Sequence, residues 1–200
     1  KKKFIYLISP NKINPYFYNH LKLILKTGKV SFFQMRLKRY SFKNKILIGK
    51  KIKHICKKNN VKFLVNDDPF LAKRLDADGC HLGQKDMKIH LARKIIKRKI
   101  IGITCHNSIK LAKLAIKNNA DYLAFGAFYS SKTKKTKFKA SLSILKTITK
   151  ITKTPIVAIG GINSKNYKKL LLNKANFLAI SDYIWNNKKL NPREAITKLI

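Results

Sequence analysis

The chain has 200 residues, 45% of them apolar, and sets 46 basic side chains against eight acidic ones, for a formal net charge of +38. That length suits one domain, residues 1–200, with a substantial core, and no run of about 18 apolar residues offers a membrane span. The charge would suit nucleic acid, an anionic surface or a phosphorylated substrate. Only six of the basic residues are Arg, the side chain best fitted to bidentate phosphate and base contacts, and the Lys are spread along the chain instead of gathered in one arm. Nucleic-acid binding is therefore not expected as the main role, whereas attraction of anionic substrates is. Cys56, Cys80 and Cys105 form no CxxC pair, which argues for a reducing cytosol without a disulfide framework or a zinc site.

The N-terminal Lys-Lys-Lys-Phe-Ile-Tyr-Leu-Ile-Ser begins as a signal peptide does, but its apolar part is too short for one and reads as a first strand, Lys3–Ser9. A helix over Tyr16–Thr27 and a strand over Val30–Leu37 follow. Phe42–Lys58 carries apolar residues every three or four positions, as an amphipathic helix requires. Further strands are expected at Val61–Asn66, Gly79–Gly83, Ile100–Cys105, Tyr122–Gly126, Pro155–Gly160 and Phe177–Ser181. They are apolar without clean alternation, the mark of parallel strands buried on both faces. Helices are expected at Phe70–Leu75, Ile89–Lys97, Ile109–Asn118, Leu142–Ile151, Ser164–Leu172 and Pro192–Leu199. Asp68 before Pro69 suits a helix cap, as do Asn107 and Ser108, and Asn163 and Ser164. Asn118, Asn119 and Asn173 sit where helices should stop. Eight strands alternating with eight helices in one chain predict a (β/α)8 TIM barrel over a doubly wound sheet.

A barrel places its chemistry at the C-terminal strand ends, and the polar residues fall there. Gln34, Arg36 and Lys38 alternate at the end of strand two and should share one face. Asn66 and Asp67 end strand three, and Asp86 follows strand four. Five of the eight carboxylates (Asp67, Asp68, Asp76, Asp78 and Asp86) lie between Phe63 and Asp86. Asp67 and Asp86, on neighbouring strands, can reach one hard cation such as Mg²⁺. Capping and turn formation are the alternative reading of such residues. Arg36, Lys38 and Lys134 would face a diphosphate–Mg²⁺ group. Gly160-Gly161 before a helix suits a monophosphate or a tight turn, and Ser131 and Thr133 add hydroxyls in the loop after strand six. His81 reads as a hydrogen-bonded core residue, and His106 sits at a strand mouth where either a structural or a site role fits. No Ser-His-Asp or Cys-His arrangement has supporting context.

Taken in order, Gln-Met-Arg-Leu-Lys (34–38), Val-Asn-Asp (65–67), Asp-Gly-Cys-His-Leu-Gly-Gln-Lys-Asp (78–86), Ile-Gly-Ile-Thr-Cys-His (101–106), Asp-Tyr-Leu-Ala-Phe-Gly (121–126), Lys-Thr-Lys (132–134), Ala-Ile-Gly-Gly-Ile (158–162) and Ala-Ile-Ser (179–181) resemble the thiamine phosphate synthase family. The resemblance implies a (β/α)8 transferase that couples hydroxymethylpyrimidine diphosphate to hydroxyethylthiazole phosphate, releases diphosphate and uses Mg²⁺. It implies small-molecule substrates in the cytoplasm, no nucleic acid and no membrane, and it leaves a homo-oligomer open. By this similarity Gln34, Arg36, Lys38, Asn66 and Lys134 bind the pyrimidine diphosphate, with Arg36, Lys38 and Lys134 serving catalysis, and Asp67 and Asp86 hold the metal. Thr104 stands where the family commonly has a substrate-contacting Ser. Ser131, Lys132, Thr133, Gly161, Ile180 and Ser181 match the thiazole phosphate site.

Such chemistry needs leaving-group charge neutralised and two substrates held in line, with little general-base work, which agrees with the absence of a triad. Two residues depart from the family pattern. Ser130-Ser131 replaces Pro-Thr, and Asp182 follows Ser181 where a small residue is usual, bringing an anion toward the expected phosphate. The related thiazole tautomerases share the fold but tend to lose the second carboxylate and to carry His after the strand-six Gly. Here Asp86 is present and Ala127 follows Gly126, a pattern closer to the synthases.

Overall fold

The computed structural model describes residues 3–130 and 138–199. Its strands are β1 (Ile5–Ile8), β2 (Val30–Met35), β3 (Lys62–Asn66), β4 (Gly79–Leu82), β5 (Ile100–His106), β6 (Tyr122–Gly126), β7 (Ile156–Ile159) and β8 (Phe177–Ile180). All pair in parallel with their sequence neighbours, and β8 pairs with β1 to close a barrel. The helices are α1 (Phe17–Leu25), α2 (Phe42–Lys58), α3 (Pro69–Arg74), α4 (Ile89–Ile96), α5 (Ile109–Lys117), α6 (Leu142–Ile151), α7 (Tyr167–Leu172), α8 (Asp182–Trp185) and α9 (Pro192–Thr197). The expected (β/α)8 barrel is therefore present. None of these helices is long and apolar enough to cross a membrane.

Two apolar compartments follow from strands buried on both faces. Inward-facing Tyr6, Ile8, Leu64, Tyr122, Ala124, Val157 and Ala179 fill the barrel, while the outward residues pack against the helices. On α2 the buried positions Gly49, Ile52, Ile55 and Cys56 recur at helical spacing. All three cysteines are buried and unpaired, and burial holds the Cys80 and Cys105 thiols up near 12.

One clamp repeats at the N-terminal rim. The residue just before β4, β6 and β8 (Asp78, Asp121 and Asn176) accepts a side-chain hydrogen bond from the N–H of Phe63, Ile101 and Ile156 on the preceding strand. The backbone N–H of each clamp residue returns a bond to the carbonyl of that same partner. Each clamp therefore joins two strands by a reciprocal pair of bonds, which fixes their register.

Helix α3 starts as expected, with Pro69 in its first turn and the Asp68 carboxylate accepting from Leu71 N–H at 2.9 Å. Ser108 caps α5 by the same device, and Asn119 takes the left-handed conformation after it. The seventh helix departs from expectation. Asn163 Oδ1 accepts from Lys165 N–H and Asn166 Oδ1 from Asn163 N–H, so this stretch folds as a side-chain-tied turn and α7 begins at Tyr167, not Ser164. At its end Lys174, not Asn173, takes the positive φ. The one-turn helix α8 was not expected, because four residues are too few to show a period.

Candidate active site

The C-terminal mouth gathers the polar ends of the strands. Ser9, after β1, is buried and ties three strands together: its N–H donates to the Gln34 carbonyl, its Oγ accepts from Arg36 N–H at 2.9 Å, and its carbonyl accepts from Ser181 Oγ at 3.2 Å. The only sequence signal for Ser9 was a lone hydroxyl at a strand end. Gln34 is buried on β2 and donates to Asn66 Oδ1 on β3 at 3.1 Å. Because β2 stops at Met35, the expected alternation does not continue through Lys38. Arg36 turns toward Asn11 Oδ1 at 3.4 Å, while Lys38 reaches across to Asp67 at 2.9 Å.

Asp67 occupies the left-handed region at φ 65°, a conformation Asp tolerates, with its N–H on the His81 carbonyl. Its carboxylate meets that of Asp86. Asp86 is held by Gly83 N–H at 2.6 Å, so the β4–α4 turn aims it at Asp67. Burial pushes both carboxyls up. For Asp67 the Lys38 ammonium and the Asp86 hydrogen bond outweigh burial, leaving it below the usual range. For Asp86 burial and the Asp67 charge prevail over the Gly83 amide, leaving it above. The two expected metal ligands are thus brought together, as an unlike-titrating pair.

His81, on β4, is hydrogen-bonded at both ring nitrogens, to Tyr122 and Thr104, as a core histidine should be. Gln84, which the sequence did not single out, donates to the Thr104 carbonyl. His106 ends β5 at φ 54° and stacks on Phe138 with centroids 4.2 Å apart.

On the opposite side of the mouth, Gly161 lies at φ 60°, and a Cβ there would strike the Ser130 carbonyl oxygen. Its own carbonyl accepts from Asn166 Nδ2 at 3.0 Å. The loop 162–166 separates this turn from α7, so the glycines do not open directly onto a helix. The Ile180 side chain packs into the barrel–helix core, leaving only its main chain at the mouth. Asp182 accepts from Asn186 Nδ2 at 2.8 Å within α8, whose Trp185 donates to the Ile8 carbonyl at 2.7 Å. Ser131, Lys132, Thr133 and Lys134 lie outside the described residues.

A closed eight-stranded parallel barrel with its carboxylate pair, cations and hydroxyls at the C-terminal mouth defines a (β/α)8 enzyme. The family described as thiamine monophosphate synthase matches residues 5–184, and the chain belongs to it. It is 69% identical to the thiamine-phosphate synthase of Pelagibacter ubique over 99% of this chain and 96% of that one. It is 38% identical to the thiamine-phosphate synthase of Erythrobacter litoralis over 98% and 94%. Among solved structures, the thiamine phosphate pyrophosphorylase of Pyrococcus furiosus superposes with a TM-score of 0.87 at 29% identity, covering 98% of this chain and 93% of that one.

Proposed function

We propose that this chain acts, as a single domain, as a thiamine-phosphate synthase. This transferase joins hydroxymethylpyrimidine diphosphate to hydroxyethylthiazole phosphate and releases diphosphate, and its setting is the cytoplasm. The observation that carries the reading is the 69% identity to a synthase of that name across nearly the whole of both chains.

In this reading Gln34, Arg36, Lys38, Asn66 and Lys134 take the pyrimidine diphosphate, and Thr104 contacts the same substrate. Ser131, Lys132, Thr133, Gly161 and Ser181 take the thiazole phosphate, joined by the main chain of Ile180. Two touching carboxylates supply hard oxygen donors and like charge that a divalent cation would relieve, so Asp67 and Asp86 fit Mg²⁺. Among the described residues no cluster of three or more His, Cys, Asp or Glu stands together. Asp67 and Asp86 would hold such an ion through carboxylate oxygens, the ligand type Mg²⁺ takes. When bound, the ion supplies charge neutralisation for the departing diphosphate. Arg36, Lys38 and Lys134 act on the same charge as fixed donors. The electron-rich aminopyrimidine releases diphosphate with the bonding pair, leaving a stabilised benzylic-type cation. The thiazole nitrogen then donates its lone pair to that carbon. The barrel wall has only to hold the two rings in line.

The test is a coupling assay with both precursors, with and without Mg²⁺ and with chelator, following diphosphate and thiamine phosphate together. Mg²⁺-dependent formation of both products is expected. A folded protein that releases neither would refute the reading.

A further inference from the structure

The barrel interior holds a polar line that runs behind one of the substrate contacts above, Thr104. Tyr6 Oη on β1 lies 2.8 Å from Tyr122 Oη on β6. Tyr122 Oη lies 2.8 Å from His81 Nδ1 on β4, and His81 Nε2 lies 2.9 Å from Thr104 Oγ1 on β5. Tyr6 and Tyr122 are 2% and 3% exposed, packed among Ile8, Leu64, Val157 and Ala179. Gly102 makes room for the line: a Cβ there would run into the Tyr122 ring. The side chains thus cross the barrel from its apolar interior up to the mouth.

Counting hydrogens gives the line a direction. Each hydroxyl has one, and a neutral imidazole has one N–H. A cationic ring, with a hydrogen on Nδ1 as well as Nε2, would leave one of the two buried tyrosine hydrogens without an acceptor, so the His81 imidazole in this line is neutral. Among the described residues the Tyr6 hydroxyl meets one partner, Tyr122. If Tyr122 donated to it, the Tyr6 hydrogen would be left buried without an acceptor, at its full desolvation penalty. Tyr6 therefore donates to Tyr122, Tyr122 donates to His81 Nδ1, and His81 Nε2–H donates to Thr104 Oγ1. The Thr104 oxygen is then occupied as an acceptor by the histidine, and its own hydrogen is directed elsewhere. Among the described residues it has no second partner.

We propose that Tyr6, Tyr122 and His81 are positioning residues that fix the Thr104 hydroxyl as a hydrogen-bond donor at the mouth, so that the ligand atom it meets is an acceptor. This rests on the mouth being the pyrimidine diphosphate site. There the acceptor is a ring nitrogen or a diphosphate oxygen, since the exocyclic amino group of an aminopyrimidine only donates. The reverse direction would have Thr104 donating to His81 and accepting from that amino group.

The first experiment is side-chain ¹⁵N NMR of the ligand-free full chain. His81 is expected protonated at Nε2 and bare at Nδ1; a proton on Nδ1 overturns the proposal. This measurement needs no turnover, so it decides the direction of the line even if the synthase reading fails in the coupling assay. The second is kinetic. Tyr122→Phe should raise KM for the pyrimidine diphosphate about three- to tenfold and leave KM for the thiazole phosphate unchanged. Thr104→Val should do the same, Thr104→Ser should restore the parent value, and the Tyr122→Phe/Thr104→Val pair should be no worse than either alone. Additive effects, or equal changes for both substrates, overturn the positioning role. Should Tyr122→Phe fail to fold, the tautomer and the Thr104 pair still decide.

Discussion

At the scale of single residues, the mouth pairs groups whose environments push their titrations apart. Asp86 is half-buried beside a like charge, so its ionised form is a cost to the folded chain without metal. Asp86→Asn is expected to lower Mg²⁺-dependent turnover on the order of a hundredfold while leaving the metal-free protein as stable as the parent or more so. A thermal melt alongside the coupling assay checks both, and a less stable variant would contradict the origin of the Asp86 shift. Asp67→Asn should lose comparable activity but give no such gain, because it also gives up the Lys38 ion pair. His81 carries a different pH signature. Burial and the Arg36 charge lower its pKa from 6.5 to about 4, against an opposing pull from Asp67. Between those values the unfolded chain binds the extra proton, so stability falls as pH drops from 6.5 toward 4, by up to about 3 kcal/mol. Denaturant titrations across that window should show a smaller loss in His81→Asn than in the parent.

At the scale of elements, the strands were legible because parallel strands buried on both faces leave near-continuous apolar runs. The Phe42–Lys58 and Leu142–Ile151 helices were legible to the residue. The carboxylate pair could be read because acid is so scarce in this chain. The interior line could not, since Tyr6 and Tyr122 look like any aromatic in a core strand until the fold brings them together. The strand clamps were equally hidden, since Asp78, Asp121 and Asn176 read as ordinary turn residues. Removing the last of them, Asn176→Ala, should cost about 1–2 kcal/mol by leaving the Ile156 N–H without its partner. Asp68→Ala should cost about 1 kcal/mol through the lost α3 cap. Urea unfolding of both variants would show midpoints shifted down with unchanged slopes.

At the scale of the whole molecule, a formal charge of +38 on 200 residues acts on stability and on catalysis with opposite signs. Self-repulsion among the lysines strains the compact state, and salt relieves it. The melting temperature is therefore expected to rise with NaCl between about 0.02 and 0.3 M, across which the Debye length shortens several-fold. The same screening weakens attraction of a phosphorylated substrate, so KM for the pyrimidine diphosphate should rise over that range. A melting temperature insensitive to salt would mean that the lysines are too well separated to repel one another.

The eight carboxylates of this chain all have an assignment. Asp67 and Asp86 pair at the mouth, Asp68 caps α3, and Asp76 holds Lys53 and Lys99. Asp78 and Asp121 clamp strands, Asp182 bonds Asn186, and Glu194 completes the capping box of α9. A saturation library of this protein should therefore give a lopsided map of tolerance. Most lysine positions would accept almost any polar replacement, while the acidic positions would form a sparse set of intolerant columns. A lineage drifting toward ever more lysine would reach a floor near these positions, below which further loss of acid begins to remove strand clamps, helix caps and the carboxylates of the mouth.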